Sequence, residues 1–360
     1  MSDAYPMVVV LGPTASGKSA LGVRLAQELG GEVVACDSTQ VYRYFDIGTG
    51  KLSASEQGGV PHHLSDLLEP EEVFTAGDYQ RRARAVLAEV RGRGRLPVVT
   101  AGTGLYLRAL LEGLSALPAR SAALRARFEE RVEERGSNYL HRLLARVDPE
   151  SARAIGARDT PKLVRALEVY FSAPGGSASG GQVRRRRTRT ELFVAGREKL
   201  EGYAVTKIGL LPPRAALYAR IEERVERMLA AGWLEEVRGL AGRFSPYAQA
   251  SGDRPASAEA AAGRPASAKA TAGRPAAAKL FGFLGYRQLA AHLRGELSLP
   301  EAIKQTKHET RQFAKRQITW FRKEPGVKWF MGFGDDPGVA AAVAEYLEGL
   351  KPRMNTDKHG

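Results

Sequence analysis

Residues Gly12-Pro13-Thr14-Ala15-Ser16-Gly17-Lys18-Ser19 satisfy the spacing G-x-x-x-x-G-K-[ST]. In that arrangement backbone amides and the positive end of the following helix surround a phosphate chain. Lys18 neutralises it, and the Ser19 hydroxyl can ligate Mg²⁺. The spacing leaves open whether the phosphates belong to a nucleotide. Asp37 is the second group able to do chemistry. Beside a phosphate-binding loop such a carboxylate serves as a base for a substrate hydroxyl or as an outer ligand of Mg²⁺, and a strand-end Asp equally well caps the next turn. His62 and His63 are adjacent, share no face and have no carboxylate or thiolate set around them, so a structural role after Pro61 is expected. Cys36, the single cysteine, excludes an internal disulfide and a Cys-rich zinc site. It is expected to be a small buried hydrophobe in a reducing compartment.

The elements around these residues read as a parallel α/β sheet. Met7 to Leu11 is a β-branched run that ends in the Gly-rich loop, and apolar residues then recur at helical spacing through Leu21, Leu25 and Leu29. Glu32 to Cys36 is a second strand ending at Asp37, and Leu96 to Ala101 a third, closed by Gly102-Thr103-Gly104. Helical segments such as Asp78 to Arg91 separate them. Ligands of such sheets bind beyond the carboxyl ends of the strands, which brings Gly12 to Ser19, Asp37 to Tyr42 and Thr103 to one crevice.

From Leu117 to about Tyr170 the strand signal gives way to helical spacing, and then to a Gly/Ser stretch and the basic run Arg184 to Arg187. A strand from Val205 to Leu211 leads through Pro212-Pro213 into a long amphipathic helix, Arg214 to about Leu240. Residues 251–279 repeat with a period of about ten and carry no large apolar side chain before Leu280, so they are read as a disordered insertion. Helices follow over Pro300 to Phe321 and Asp336 to Leu350. The expected organisation is a first core segment 1–116, a helical insertion 117–190, a return to the core over 191–350, and a tail 351–360.

The chain has 360 residues, 54 Lys+Arg and 40 Asp+Glu, a formal charge of +14 that calls for an anionic partner. Its apolar stretches fall short of the roughly 20 residues that cross a bilayer, and its first residues do not resemble a signal peptide. The expectation is a cytoplasmic protein with no membrane partner.

Longer blocks carry a resemblance. Asp37-Ser38-Thr39-Gln40-Val41-Tyr42-Arg43, Asp46-Ile47-Gly48-Thr49, Pro61-His62-His63-Leu64 and Ala101-Gly102-Thr103-Gly104-Leu105-Tyr106 occur in order. They are followed by Arg165-Ala166-Leu167-Glu168-Val169-Tyr170, Gly285-Tyr286-Arg287-Gln288 and Lys315-Arg316-Gln317-Ile318-Thr319-Trp320-Phe321-Arg322. The ordered set, spanning nearly the whole chain, resembles the tRNA dimethylallyltransferases.

That resemblance implies a P-loop NTPase-like parallel sheet core with a mainly helical insertion domain, acting as a monomer on the anticodon stem-loop of tRNA with dimethylallyl diphosphate and Mg²⁺. The prenyl group would pass to N6 of the adenosine 3′ of the anticodon. The loop Gly12, Pro13, Thr14, Ala15, Ser16, Gly17, Lys18, Ser19 would hold the leaving diphosphate instead of ATP. Asp37 would be the general base. Thr103 would hydrogen-bond near the bridging oxygen, with Lys18, Arg224 and Mg²⁺ on Ser19 stabilising the departing charge. Arg220 and Arg224 lie four apart on one helix face, where ion pairs to Glu223 and Glu226 are the alternative.

The target base would be flipped into a channel between the sheet and the insertion, lined by Asp37, Ser38, Thr39 and Gln40, with Thr103 nearby. The resemblance assigns further tRNA contacts to Arg125, to Pro161, Lys162, Leu163, Val164 and Arg165, and to Gly282, Phe283, Leu284, Gly285, Tyr286 and Arg287. Lys315, Arg316 and Trp320 complete the set. Tyr286, Trp320 and Phe321 among these basic residues suit stacking on unpaired bases. Two departures stand out: Gly50 where the family usually shows Ala, and Ser172-Ala173-Pro174-Gly175 in place of a Thr/Ser-Gly turn. Neither is expected to bear on the chemistry. A small-molecule P-loop kinase and a nonenzymatic RNA-binding protein are the rivals. The kinase leaves the basic C-terminal block unexplained.

Overall fold

The structure is a computed structural model that describes residues 4–115, 117–118, 120–172, 197–244 and 282–348. The Gly/Ser stretch after Ser172, the Arg184 to Arg187 run, the 251–279 repeat and the tail lie outside the described residues. The chain divides into two compact units, Met1–Leu111 with Leu200–Gly360, and Glu112–Lys199.

The larger unit is built on a parallel six-stranded sheet. Its strands are β1 (Tyr5–Leu11), β2 (Gly31–Cys36), β3 (His62–His63), β4 (Leu96–Ala101), β5 (Tyr203–Leu210) and β6 (Val327–Phe330), in the order β3-β2-β4-β1-β5-β6. All residues of β2 and β4 are buried. Val8 and Val10 of β1 enter the apolar cluster on one face of the sheet, while Met7, Val9 and Leu11 enter the cluster on the other. Each buried Val or Leu contributes about 1.5–3 kcal/mol, so these central strands fix the loops at their carboxyl ends. Because β1, β4 and β2 are neighbours, the loops after Leu11, Ala101 and Cys36 lie side by side.

Helix α1 (Lys18–Leu29) follows the first loop, and α2 (Ala76–Gly92) and α3 (Gly104–Glu112) follow in the same unit. The helical unit contains α4 (Ala122–Arg135), α5 (Ser137–Val147), α6 (Pro149–Ala154) and α7 (Thr160–Ser172). It has its own core of Phe128, Leu140, Leu144, Ile155, Leu163 and Leu167. The larger unit resumes with α8 (Arg214–Ala230), α9 (Trp233–Phe244), α10 (Tyr286–Leu293), α11 (Leu299–Phe321) and α12 (Pro337–Glu348).

The parallel α/β reading holds. The long helix expected from Arg214 to about Leu240 is two helices, because Gly232 adopts φ +96° and turns the chain between α8 and α9. Apolar periodicity runs through Ala230-Ala231-Gly232 and hides that turn. Strands β3 and β6 are too short to show a period, and β3 is two histidines paired with Val33 and Val34. Among the described residues no helix is long and apolar enough to cross a membrane.

Candidate active site

The first loop is shaped for an anion. Ala15 has φ +62° and Gly17 φ +82°, an alternation that turns successive amides toward one concavity. Gly17 precedes α1 with no side-chain cap, so the first-turn amides are not consumed by a capping residue. A side chain at Gly17 would also collide with Gly334 and Asp335, whose turn closes over the loop through Gly334 N–H to Ser16 O at 2.8 Å.

Two cations stand beside this loop. Burial lowers the Lys18 ammonium to about 8, against the raising field of Asp37, with Arg224 lowering it further. Burial also lowers Arg224, again opposed by Asp37. Among the described residues neither makes an ion pair with a carboxylate. Arg220 does: its guanidinium pairs with Asp335 and covers the Phe333 ring at 4.4 Å. The pairing with Glu223 and Glu226 considered from the sequence does not form, since Glu223 pairs with Arg227 and Glu226 with Lys307.

Asp37 Oδ1 accepts from Thr39 N–H at 2.9 Å and from Thr39 Oγ1 at 2.7 Å. Its Oδ2 packs against the bare backbone of Gly102 and takes no hydrogen bond from the described residues, which leaves a lone pair available for a proton. Thr103 Oγ1 accepts from Ser38 N–H at 3.0 Å, and the amides of Gly102 and Thr103 both donate to Cys36 O at 3.0 Å. Cys36 is fully buried, and burial pushes its thiol up to about 12, so it is inert. His63 Nε2 lies 2.7 Å from Glu32 Oε2 and His62 Nδ1 donates to Val60 O at 2.8 Å, both structural arrangements.

Thr14, Lys18, Ser19, Asp37, Ser38, Thr39, Gln40, Thr103 and Arg224 line one cavity of about 310 Å³, together with Gly282 to Leu284 and Tyr286. A second cavity of about 950 Å³ opens on Ala15, Ser16 and Gly17. Lys18, Ser19, Gln40, Gly50, Thr100, Arg224 and Met228 line both, so the cavities meet at the two cations. The Gln40 amide nitrogen donates to the carbonyls of Thr49 and Gly50, each at 3.2 Å, so only its oxygen is left to face a ligand.

Several site residues were invisible in the sequence. Glu236 of α9 receives the amides of Asp46 (3.0 Å) and Ile47 (2.8 Å) on one oxygen and Tyr286 OH (2.6 Å) on the other. It thereby fixes the loop that carries Thr49 and Gly50. Trp233 fills the space beside Gly48 and Gly285. Gln317 of α11 bridges Thr14 and Gly102. Gly50, expected to have no bearing on the chemistry, lines both cavities, and the Arg224 guanidinium fills the space that an alanine methyl would take.

The basic residues assigned to RNA are dispersed. Lys315 and Arg316 are exposed on α11 and make no ion pair among the described residues, and Trp320 is 37% exposed under the Arg108 guanidinium. Arg287 is exposed and pairs with Glu309. Tyr286 and Phe321 correct the stacking expectation: both rings are buried, the first held by Glu236 and the second in the sheet core. In the helical unit Pro161 and Lys162 are exposed, whereas Leu163 and Val164 are core residues that offer no side-chain surface. The fully buried Glu168 carboxylate accepts from Ser121 N–H at 2.6 Å and pairs with Arg125 at 3.2 Å and Arg165 at 3.1 Å.

Comparison with known proteins places this geometry. The model of the IPP transferase family matches residues 40–324. A tRNA dimethylallyltransferase of Koribacter versatilis is 43% identical over 98% of this chain and 99% of its own length, and one of Solibacter usitatus is 44% identical over 95% and 99%. The crystal structure of the full-length tRNA isopentenylpyrophosphate transferase of Bacillus halodurans superposes with a TM-score of 0.62 at 31% identity, covering 98% of this chain and 99% of that one. The chain therefore belongs to the IPP transferase family, the prenyl-transferring enzymes that include the tRNA dimethylallyltransferases.

Proposed function

We propose that the protein transfers a dimethylallyl group from dimethylallyl diphosphate to N6 of the adenosine 3′ of the anticodon in tRNA, releasing diphosphate. The observation that carries this reading is Asp37 Oδ2, without a hydrogen bond among the described residues, in the same cavity as two half-buried cations, Lys18 and Arg224, that pair with no carboxylate among those residues. A carboxylate among cations suits a reaction that takes a proton from one reactant while negative charge leaves with the other.

The amine nitrogen attacks the allylic carbon, the carbon–oxygen bond breaks, and its electron pair departs with the diphosphate. Asp37 Oδ2 takes the N6 proton. Lys18, Arg224 and the loop amides receive the diphosphate, whose charge grows as the bond opens, so their attraction is strongest in the transition state. Thr103 lines the same cavity; its hydroxyl accepts from Ser38 N–H and donates to Ser38 Oγ at 3.3 Å, and it would turn that proton to the bridging oxygen. The Gln40 oxygen, its amide nitrogen fixed by Thr49 and Gly50, is positioned to accept from an adenine amine.

Ser19 is the residue suited to hold Mg²⁺. It lines both cavities, and its hydroxyl makes no hydrogen bond among the described residues. The described residues contain no group of three or more His, Cys, Asp or Glu that could hold a metal ion, so in this reading the ion would be held at the Ser19 hydroxyl. When bound, Mg²⁺ supplies charge neutralisation on the diphosphate.

Lys315, Arg316 and Trp320 on α11, with Arg125 and Arg165 in the helical unit, supply the RNA contacts in this reading, and the reaction takes place in the cytoplasm with a single copy of the chain. The buried Glu168 holds both guanidinium groups in place. Burial raises the Glu168 carboxyl, but Arg165, Ser121 N–H and Arg125 together bring it below its ordinary value. Glu168→Gln is expected to lower stability by about 2 kcal/mol through loss of charge-assisted hydrogen bonds, and to weaken RNA binding several-fold with turnover unchanged. Thermal unfolding and RNA titration check this. A fully stable variant with normal RNA affinity would remove Glu168 from the scheme.

Diphosphate release tests the reading as a whole. Release from dimethylallyl diphosphate should require unmodified tRNA. ATP turnover without any reaction of dimethylallyl diphosphate would favour a kinase instead, and RNA binding with no diphosphate release a nonenzymatic RNA-binding protein.

A further inference from the structure

Gln317 is a buried polar side chain on a helix whose neighbouring residues, Lys315, Arg316 and Trp320, face outward. Its two ends are used differently. Oε1 accepts from Thr14 N–H at 2.8 Å, and Nε2 donates to Gly102 O at 2.8 Å. Partner chemistry fixes the amide orientation, since one neighbour is a donor and the other an acceptor.

These two bonds join loops that do opposite jobs. Thr14 belongs to the phosphate-binding loop after β1. Gly102 follows β4, its backbone packs against Asp37 Oδ2, and its amide and that of Thr103 are held by Cys36 O. Helix α11 is itself tied to α8, the helix of Arg224, by Lys307–Glu226 and Arg311–Glu222 ion pairs. One side chain therefore connects the diphosphate cradle to the Asp37 and Thr103 wall, from a helix registered against Arg224.

We propose that Gln317 is a positioning residue for prenyl transfer: it sets the separation between the diphosphate cradle and the Asp37–Thr103 wall of the cavity. This rests on the function proposed above. Only an amide of this length serves. Methionine fills a similar volume but makes neither bond. Glutamate keeps the acceptor for Thr14 N–H, turns an oxygen toward Gly102 O, and adds an anion beside the diphosphate.

The test is single-turnover transfer by Gln317→Met and Gln317→Glu on unmodified tRNA, with separate titrations of RNA and dimethylallyl diphosphate. Measurements are made below the unfolding midpoint of each variant, with wild type in parallel. For Gln317→Met the expected result is a transfer rate about 10²-fold lower, the scale of an ångström-sized misplacement, with RNA affinity within about twofold of wild type. Gln317→Glu should lose rate and also bind dimethylallyl diphosphate more weakly. Should Gln317→Met fold poorly, Gln317→Glu, which retains the Thr14 bond, carries the comparison. A folded variant with wild-type transfer rate overturns the proposal, even if its melting temperature has dropped, because the side chain is then only structural. An inactive wild type would overturn the functional reading as well, so the parallel control separates the two failures.

Discussion

Asp37→Asn is expected to lower the rate of prenyl transfer by about 10²- to 10⁴-fold while leaving RNA binding intact, the range for removal of a general base. Asparagine is nearly isosteric, and its oxygen still accepts from the Thr39 amide and hydroxyl that hold Oδ1. What disappears is the proton acceptor at Oδ2 and the negative charge beside Lys18 and Arg224. Those cations then face the diphosphate unopposed, so dimethylallyl diphosphate should bind at least as tightly as it does to wild type. A mutation that merely disturbs the site would weaken binding and slow the chemistry together. Single-turnover transfer combined with dimethylallyl diphosphate titration distinguishes these patterns, and an unchanged transfer rate in Asp37→Asn removes Asp37 as the base.

Arg224→Met should produce the opposite division. Arg224 is half-buried, lines both cavities and pairs with no carboxylate among the described residues, and partial desolvation depresses its pKa against the raising field of Asp37, so the ligand-free fold gains little from that charge. Replacing it with an uncharged side chain of similar length breaks no ion pair and leaves the Asp37 carboxylate with Lys18 as its neighbouring cation. The melting temperature of the ligand-free protein should therefore stay level or rise. Activity should fall, with kcat/KM for dimethylallyl diphosphate reduced about 10- to 100-fold by loss of one charge-assisted contact to the leaving group. Gain of stability with loss of function marks a group retained for its ligand. A variant that melts earlier and keeps its kcat/KM would assign Arg224 to the fold instead.

The parts of this site that are legible in the sequence are those whose partners are close along the chain or fixed by topology. Gly12 to Ser19 declares itself by spacing, because the loop and helix α1 are built from consecutive residues. Asp37 and Thr103 could be brought to one crevice from the ends of two strands, since parallel sheets gather their loops at one edge. Arg224 followed from the family resemblance.

What the sequence conceals depends on distant pairing. Gln317 looks like one more polar residue of a basic helix until Thr14, 303 positions away, is found on its oxygen. Glu236 resembles any exposed acid of an amphipathic helix, and its role as the acceptor for the Asp46 and Ile47 amides depends on a partner 190 positions away. Tyr286 shows the converse error. An aromatic ring among arginines suits stacking on a base, but the same ring fills a core, and burial against Phe45 and Trp233 decided between them. Leu163 and Val164 fell to the same ambiguity, because a helix bearing surface cations also needs a buried face.

Incubation of the full chain with unmodified tRNA and labelled dimethylallyl diphosphate, followed by digestion and identification of the labelled nucleoside, tests the central claim most directly. The expected product is N6-dimethylallyladenosine from the position 3′ of the anticodon, formed with one diphosphate per prenyl group. Label on any other nucleoside, or diphosphate released with no prenyl group on the RNA, would contradict it.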